Sequence, residues 1–257
     1  MVKRINTLFD VGTLPELGTL PEKMHAWTIR NETLGEPIKA FQQEIVPVPK
    51  PQKGEVIVAN MSAGINYNGV WASTGKPKNV VAGNGNYDDS KEEFHICGSE
   101  ASGIIYDIGE EVTDLKIGDH VTVGASQYDE NCEIIKSGQD PVRSPTFRVW
   151  GYEGNWGAFS QFCKVKSIQC APIPDGMNWQ QASVFTAAGV PVYRMLTHWY
   201  PNNVKKGDVV LIYGGTGGVG SMAIQLSSYF GAIPVAVVSS DSRGQICMEL
   251  GAKGYIN

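Results

Sequence analysis

Before residue 180 the apolar positions come in short runs cut by glycine and proline: residues 24–30 (MHAWTIR), 55–61 (EVIVANM), 103–108 (GIIYDI), 120–124 (HVTVG) and 159–166 (FSQFCKVK). Runs of this length, with turn residues between them, predict the strands of a closed or partly closed β-structure. Residues 84–93 (NGNYDDSKEE) and 127–146 are polar and are expected to be exposed loops. After residue 180 the period changes. Residues 179–200 carry apolar side chains at helical spacing, and Pro191 is expected to kink or divide that segment. A Gly207-Asp208 turn leads into residues 209–213 (VVLIY), a β-branched run, and residues 217–230 return to helical spacing. A second strand is predicted over 233–238, a helix over 242–250 capped by Gly251, and the start of a third strand over 254–257. Strand, helix, strand, helix, strand is one half of a doubly wound fold.

The fold class expected is therefore α/β plus β: a β-domain over 1–180, then the first half of a parallel doubly wound domain over 181–257. A three-stranded parallel sheet would leave an apolar edge and a helix face bare. The chain is accordingly expected to be truncated, or one piece of a larger enzyme. Its 257 residues, 42% of them hydrophobic, suffice for one large core or two smaller ones. A net charge of −5 argues against a nucleic-acid protein, and no Lys/Arg run suggests a membrane patch. Neither a signal peptide nor a stretch of transmembrane length stands out. Cys97, Cys132, Cys163, Cys170 and Cys247 form no CxxC pair, which suits reduced thiols in a cytoplasmic protein. His25, His95, His120 and His198 are scattered and read as ordinary histidines, so no bound metal is expected.

The strongest chemical signal follows the run at 209–213. There Gly215, Thr216, Gly217, Gly218, Val219 and Gly220 contain a GxGxxG spacing between a predicted strand and a predicted helix. Glycines let the backbone turn sharply and approach a pyrophosphate, while the helix N-terminus favours the anion. At the end of the second strand Ser239 and Ser240 stand where an NAD site usually places an acid, and Arg243 is near enough to meet a 2′-phosphate. Those residues favour NADPH; Asp241, one or two positions late, is the argument for NAD.

These features resemble the medium-chain dehydrogenase/reductase superfamily, in which a GroES-like β-domain precedes the dinucleotide-binding (Rossmann) domain. Gly98-Ser99-Glu100-Ala101-Ser102-Gly103 is similar to the family's GHExxG motif, with Ser in place of the metal-binding His. Asn66, in Ala63-Gly64-Ile65-Asn66-Tyr67-Asn68, stands where zinc members have a Cys ligand. Residues 66–71 (NYNGVW), 150–157 (WGYEGNWG), Val237-Val238-Ser239-Ser240 with Arg243, and Gly251-Ala252-Lys253 further resemble the crotonyl-CoA carboxylase/reductase and acryloyl-CoA (enoyl-CoA) reductase group. That resemblance implies NADPH-dependent reduction of a short-chain enoyl-CoA thioester, with or without reductive carboxylation by CO2, in a homo-oligomer (dimer or tetramer). It also implies that Asn68, Tyr152 and Glu153 line a CO2 pocket, Tyr152 replacing the family's usual Phe.

Read from the residues alone, Asn66 and Asn68 would share a face of an extended stretch and donate to a developing oxyanion, or else cap a turn beside Gly64 and Gly69. Glu153, on a flexible-looking loop among Trp150, Tyr152 and Trp156, would hold a proton in an aromatic pocket, or else be a solvated carboxylate. Tyr152 would pack a substrate or cover the core. Tyr67 would protonate the enolate or simply present its hydroxyl at the surface. Glu100 is read as structural, bonding backbone or a neighbouring loop. Two competing functions remain beside the enoyl-CoA reductase: a quinone or enone oxidoreductase of the same superfamily, and a non-catalytic fragment or subunit that needs a partner chain.

Overall fold

The computed structural model describes residues 2–81 and 92–257. Most of the polar run expected as a loop at 84–93, namely 84–91, lies outside the described residues. The chain forms two compact units, Met1–Val184 and Phe185–Asn257.

The first unit is built from strands β1 (Lys3–Ile5), β2 (Thr19–Pro21), β3 (Lys23–Arg30), β4 (Gln42–Pro47), β5 (Glu55–Ala63), β6 (Phe94–Ile96), β7 (Ala101–Ile108), β8 (His120–Val123), β9 (Ser126–Gln127), β10 (Arg148–Val149), β11 (Phe162–Lys166) and β12 (Cys170–Pro172). Short helices α1 (Pro37–Ala40), α2 (Tyr67–Thr74), α3 (Glu133–Lys136) and α4 (Trp179–Ala182) lie between or after them. An antiparallel sheet runs β11-β5-β7-β8-β12, and a second runs β4-β3-β6. The two are joined where Ala26 bridges Ser160 and the Trp27 amide donates to the Phe159 carbonyl at 2.8 Å. The result is the partly closed β-structure that the strand spacing predicts.

Strand β5 explains why both sheets hold. Ile57 and Ala59 point into a core shared with Met24, Ala26, Val46, Tyr106 and Phe162 between the two sheets. Val56 and Val58 point the other way, into a second core with Ile105, Val121, Val123 and Trp150. A strand buried on both faces reads as the continuous apolar run seen in the sequence instead of an alternating one. The polar stretch at 127–146 is less loop-like than expected. Gln127 and Ser144 are buried, β9 pairs with β10, and α3 lies between them.

The second unit opens with α5 (Thr186–Thr197) and continues β13 (Val209–Tyr213), α6 (Gly218–Tyr229), β14 (Ile233–Val237), α7 (Asp241–Glu249) and β15 (Gly254–Ile256). The three strands are parallel in the order β13-β14-β15. Ile212, Ile224, Ala236, Cys247 and Ala252 form their core. On the opposite side of β13, Val209, Leu211 and Tyr213 are 69%, 49% and 77% exposed, the bare apolar face expected of half a sheet. The break in the 179–200 segment falls at residues 183–185, not at Pro191, which lies inside α5 on its exposed side. There the carbonyls of a helix already tilt toward water, and the bend proline imposes is tolerated. No helix among the described residues is long and apolar enough to cross a membrane.

Candidate active site

Three segments of the first unit converge: the turn into α2, the β6–β7 connection, and the loop at 150–157. Asn66 is extended (φ −121°, ψ 159°) and ends the strand-like approach, while Tyr67 already begins α2. The expected shared face of an extended stretch therefore does not exist, because the backbone turns between the two asparagines. The turn instead aims them at adjacent residues. Asn66 Nδ2 donates to Glu100 Oε1 at 2.9 Å, and Asn68 Nδ2 donates to Ser99 Oγ at 3.2 Å. Each amide keeps a second N–H and its carbonyl for other partners. Ser99 and Glu100 are buried. Glu100 thus bonds a neighbouring loop, as its structural reading anticipated, and a Cβ on Gly64 would strike its carboxylate. Tyr67 is 67% exposed and packs edge-on against Trp71 with ring centres 5.6 Å apart.

The loop at 150–157 is tied down by hydrogen bonds within itself and to β6. The Gly151 amide donates to the Gly154 carbonyl at 2.9 Å, and the Glu153 and Gly154 amides both turn back to the Val149 carbonyl. Asn155 docks the loop on β6, its Oδ1 accepting from the Ile96 amide at 2.8 Å and its Nδ2 donating to the Phe94 carbonyl at 2.9 Å. Gly151 has φ +69°, and a Cβ there would collide with the carbonyl of Gly98. These glycines serve close backbone approach rather than freedom. Trp156 carries φ +61°, a left-handed conformation that costs a non-glycine residue about 1–2 kcal/mol. It is over-determined: its amide is held by Asn155 Oδ1 at 2.7 Å, its carbonyl by the Trp150 indole N–H at 3.2 Å, and its ring packs on Phe94.

Trp150 and Trp156 are consequently buried in the two cores and do not surround Glu153. The aromatic pocket expected for that acid is absent, because the reversal at 149–154 sends both indoles inward. Glu153 instead accepts from the Val149 amide through Oε2 at 3.1 Å and pairs with Lys78 Nζ through Oε1 at 3.5 Å. Tyr152 half-buries beside α2, its ring 6.2 Å from that of Trp71. Burial first, and the Glu153 charge second, push its phenol up from the ordinary tyrosine range, so it holds its proton at neutral pH.

His95, one of the four histidines read as ordinary, is fully buried in β6, and its imidazole bonds the backbone of Gly151. Burial drives its pKa down from 6.5 to about 4. The unfolded chain binds a proton there between those pH values and the folded chain does not, so stability falls as the pH falls through that window. The expected loss is about 3 kcal/mol by pH 4. Denaturant midpoints at pH 7 and pH 4.5 check it: His95→Leu should show a shallower fall than the natural protein, and equal falls would contradict the assignment.

In the second unit the Val209–Tyr213 strand turns through Gly214 (φ +67°) into α6. A Cβ on Gly215 would lie 2.7 Å from Cys247 Sγ and 2.9 Å from Ala236 Cβ, and one on Gly220 would collide with the Gly214 carbonyl. Gly217 caps α6 without a side chain, and Gly217, Gly218 and Val219 are exposed, leaving the helix N-terminus open to an anion. Beyond the adjacent parallel strand β14, Arg243 Nη1 donates to Ser239 Oγ at 3.2 Å, and Ser240 Oγ caps α7. Asp241 lies in the first turn of α7 and accepts from the Asn257 side chain at 3.4 Å.

Residues 52–175 match the alcohol dehydrogenase GroES-like domain. The chain is 42% identical to the crotonyl-CoA carboxylase/reductase of Cereibacter sphaeroides over 97% of its own length and 56% of that protein's. It superposes on the crotonyl-CoA carboxylase/reductase AntE, solved in complex with NADP, with a TM-score of 0.91 and 48% identity, covering 97% of this chain and 61% of that one. The 2-octenoyl-CoA carboxylase reductase CinF, solved with NADP and 2-octenoyl-CoA, gives 0.86 and 32% identity over 93% of this chain and 57% of that one. The chain belongs to the medium-chain dehydrogenase/reductase superfamily.

Asn66 and Ser99, the two residues expected from the sequence to replace zinc ligands, are each tied into a hydrogen bond with the other segment. Among the described residues no group of three or more His, Cys, Asp and Glu side chains stands close enough to hold a metal ion. The structure brings together five of the residues singled out in the sequence (Asn66, Tyr67, Asn68, Tyr152 and Glu153) and adds His95, for which a lone histidine gave no spacing signal.

Proposed function

We propose that this chain carries the front part of an NADPH-dependent enoyl-CoA reductase, in which the enolate formed by reduction takes either a proton or CO2. The observation that carries the reading is the convergence of Asn68–Ser99, Asn66–Glu100 and the Tyr152-Glu153 loop on one place, in a chain whose second unit has a glycine turn shaped for a dinucleotide. The carboxylase/reductase relatives span nearly the whole of it and support the same chemistry.

The cradle fits NADPH. Backbone amides at Thr216, Gly218 and Val219 would take the pyrophosphate, and Gly217, whose own amide donates to the Gly214 carbonyl at 2.9 Å, would hold the turn beside it. Gly215 and Gly220 would allow the close approach, and Ser239, Ser240 and Arg243 would take the 2′-phosphate. When bound, the dinucleotide supplies a hydride to the β-carbon of the unsaturated thioester. The chain's own groups then act on the thioester. The amides of Asn66 and Asn68 are uncharged donors, prearranged by Glu100 and Ser99, for the oxygen on which negative charge develops. Tyr152 offers a protonated phenol, suited to donate to the enolate or to hydrogen-bond a carboxylate. Glu153, held by Lys78 and the Val149 amide, orients that phenol or a water, and Tyr67 closes the exposed side.

The test uses the full-length natural protein. NADPH oxidation with crotonyl-CoA, with and without bicarbonate, and the mass of the product separate reduction from carboxylation; no oxidation with any short enoyl-CoA, beside turnover of a quinone, would sink the reading. Arg243→Ala is expected to remove a charged contact to the 2′-phosphate worth about 1.5–3 kcal/mol. The KM for NADPH should rise at least about tenfold while that for NADH stays put. An equal change for both cofactors would place the 2′-phosphate elsewhere.

A further inference from the structure

Strand β6 meets the 150–157 loop at several points, and two of the contacts differ in kind. Asn155 pairs with the backbone of Phe94 and Ile96, which seats the loop's far end. His95, on the residue between them, reaches the near end at Gly151, the residue before Tyr152. Among the described residues its Nε2 has no hydrogen-bond partner, which leaves Nδ1 as the nitrogen bonded at Gly151. With Nδ1 donating, the imidazole holds the Gly151 carbonyl, and the Tyr152 amide of the same peptide donates to the Val149 carbonyl at 3.1 Å. The peptide that leads into Tyr152 is thereby fixed from both ends. A histidine 2% exposed, with one ring nitrogen unpaired, is a costly way to fill a core position. An apolar side chain of the same size would fill it more cheaply unless the one donated hydrogen bond matters.

We propose that His95 is a positioning residue, whose donated hydrogen bond to the Gly151 carbonyl sets the height of Tyr152 and Glu153 above the Asn68–Ser99 pair. This rests on the reading of Tyr152 and Glu153 as part of the substrate site. His95 touches no substrate; it acts through the loop. A displacement of the loop by an ångström is enough to cost about a hundredfold in rate.

The experiment compares His95→Leu, which keeps bulk and removes the donor, with His95→Asn, whose amide N–H returns a donor near the Nδ1 position. Both are made in the full-length protein beside Tyr152→Phe and Glu153→Gln. For each variant kcat, the KM values for crotonyl-CoA and NADPH, the share of carboxylated product under bicarbonate, and the thermal midpoint are measured. His95→Leu is expected to lower kcat about tenfold to a hundredfold, to shift the product share, and to leave the KM for NADPH unchanged. His95→Asn should recover most of the rate even where its thermal midpoint stays low. Equal impairment of Leu and Asn variants would mean that ring packing alone matters and would overturn the proposal, as would a His95→Leu enzyme with natural kcat and product share. If Tyr152→Phe and Glu153→Gln are also silent, the loop is no part of the site and both readings fall; if they impair the enzyme and His95→Leu does not, only the positioning role falls.

Discussion

Gly151→Ala should lower the stability of the first unit by about 4 kcal/mol and remove its activity with it. Two independent costs add. The left-handed conformation at φ +69° costs an alanine roughly 1–2 kcal/mol. The added methyl also runs into the Gly98 carbonyl and lies 3.0 Å from the Ser99 amide, both backbone atoms that cannot swing aside. Forcing such a contact apart costs about 1–3 kcal/mol more and moves the two segments that carry Ser99 and Tyr152. For a domain of this size the thermal midpoint should fall on the order of 10 °C. Gly124→Ala is the control, since a Cβ there meets only the Gln169 carbonyl, at 3.7 Å. Calorimetry of the two variants decides the matter: a Gly151→Ala midpoint matching that of Gly124→Ala would mean that the two segments are not in rigid contact.

Gly220→Ala should weaken NADPH binding by more than about a hundredfold, close to 3 kcal/mol. The methyl would meet the Gly214 carbonyl and come within 2.9 Å of Gly215 Cα, in the first turn of α6. The helix must then lift away from the strand–turn, and the amides that would face the pyrophosphate move with it. Gly254→Ala, in β15 of the same unit, meets nothing within 4 Å and should bind normally. Titration of the cofactor against intrinsic fluorescence measures both. Undiminished binding by the Gly220→Ala protein would show that the dinucleotide does not use this turn.

Much of this was legible along the chain because burial leaves a pattern. Strands β5, β7, β8 and β11 are buried on at least one face and announce themselves as apolar runs, and the strand–turn–helix order of the second unit placed its glycines without ambiguity. Strand β4 was not visible: half of its residues are polar, and even Ile45 is 53% exposed at the edge of its sheet. Strand β6 was missed because three residues beside a long polar run carry no period. The site shows the same division. Asn66, Asn68, Tyr152 and Glu153 could be named from their motifs, but which way they face depends on contacts between segments far apart in sequence. Trp150 and Trp156 flank Glu153 in the chain and not in space. His95 bonds a backbone carbonyl, a partner that no side-chain pattern discloses.

The burial of those two tryptophans gives the protein an optical signature. Trp150 and Trp156 are 0% and 5% exposed, whereas Trp27, Trp71 and Trp199 are 50%, 44% and 54% exposed. Buried indoles emit at shorter wavelength and are shielded from aqueous quenchers, so the bluest, least quenched part of the emission comes from the loop that presents Tyr152 and Glu153, with half-buried Trp179 between the two groups. Any ligand, variant or solvent that pulls this loop off β6 announces itself as a red shift with new access to iodide, without a label and before a substrate has been found.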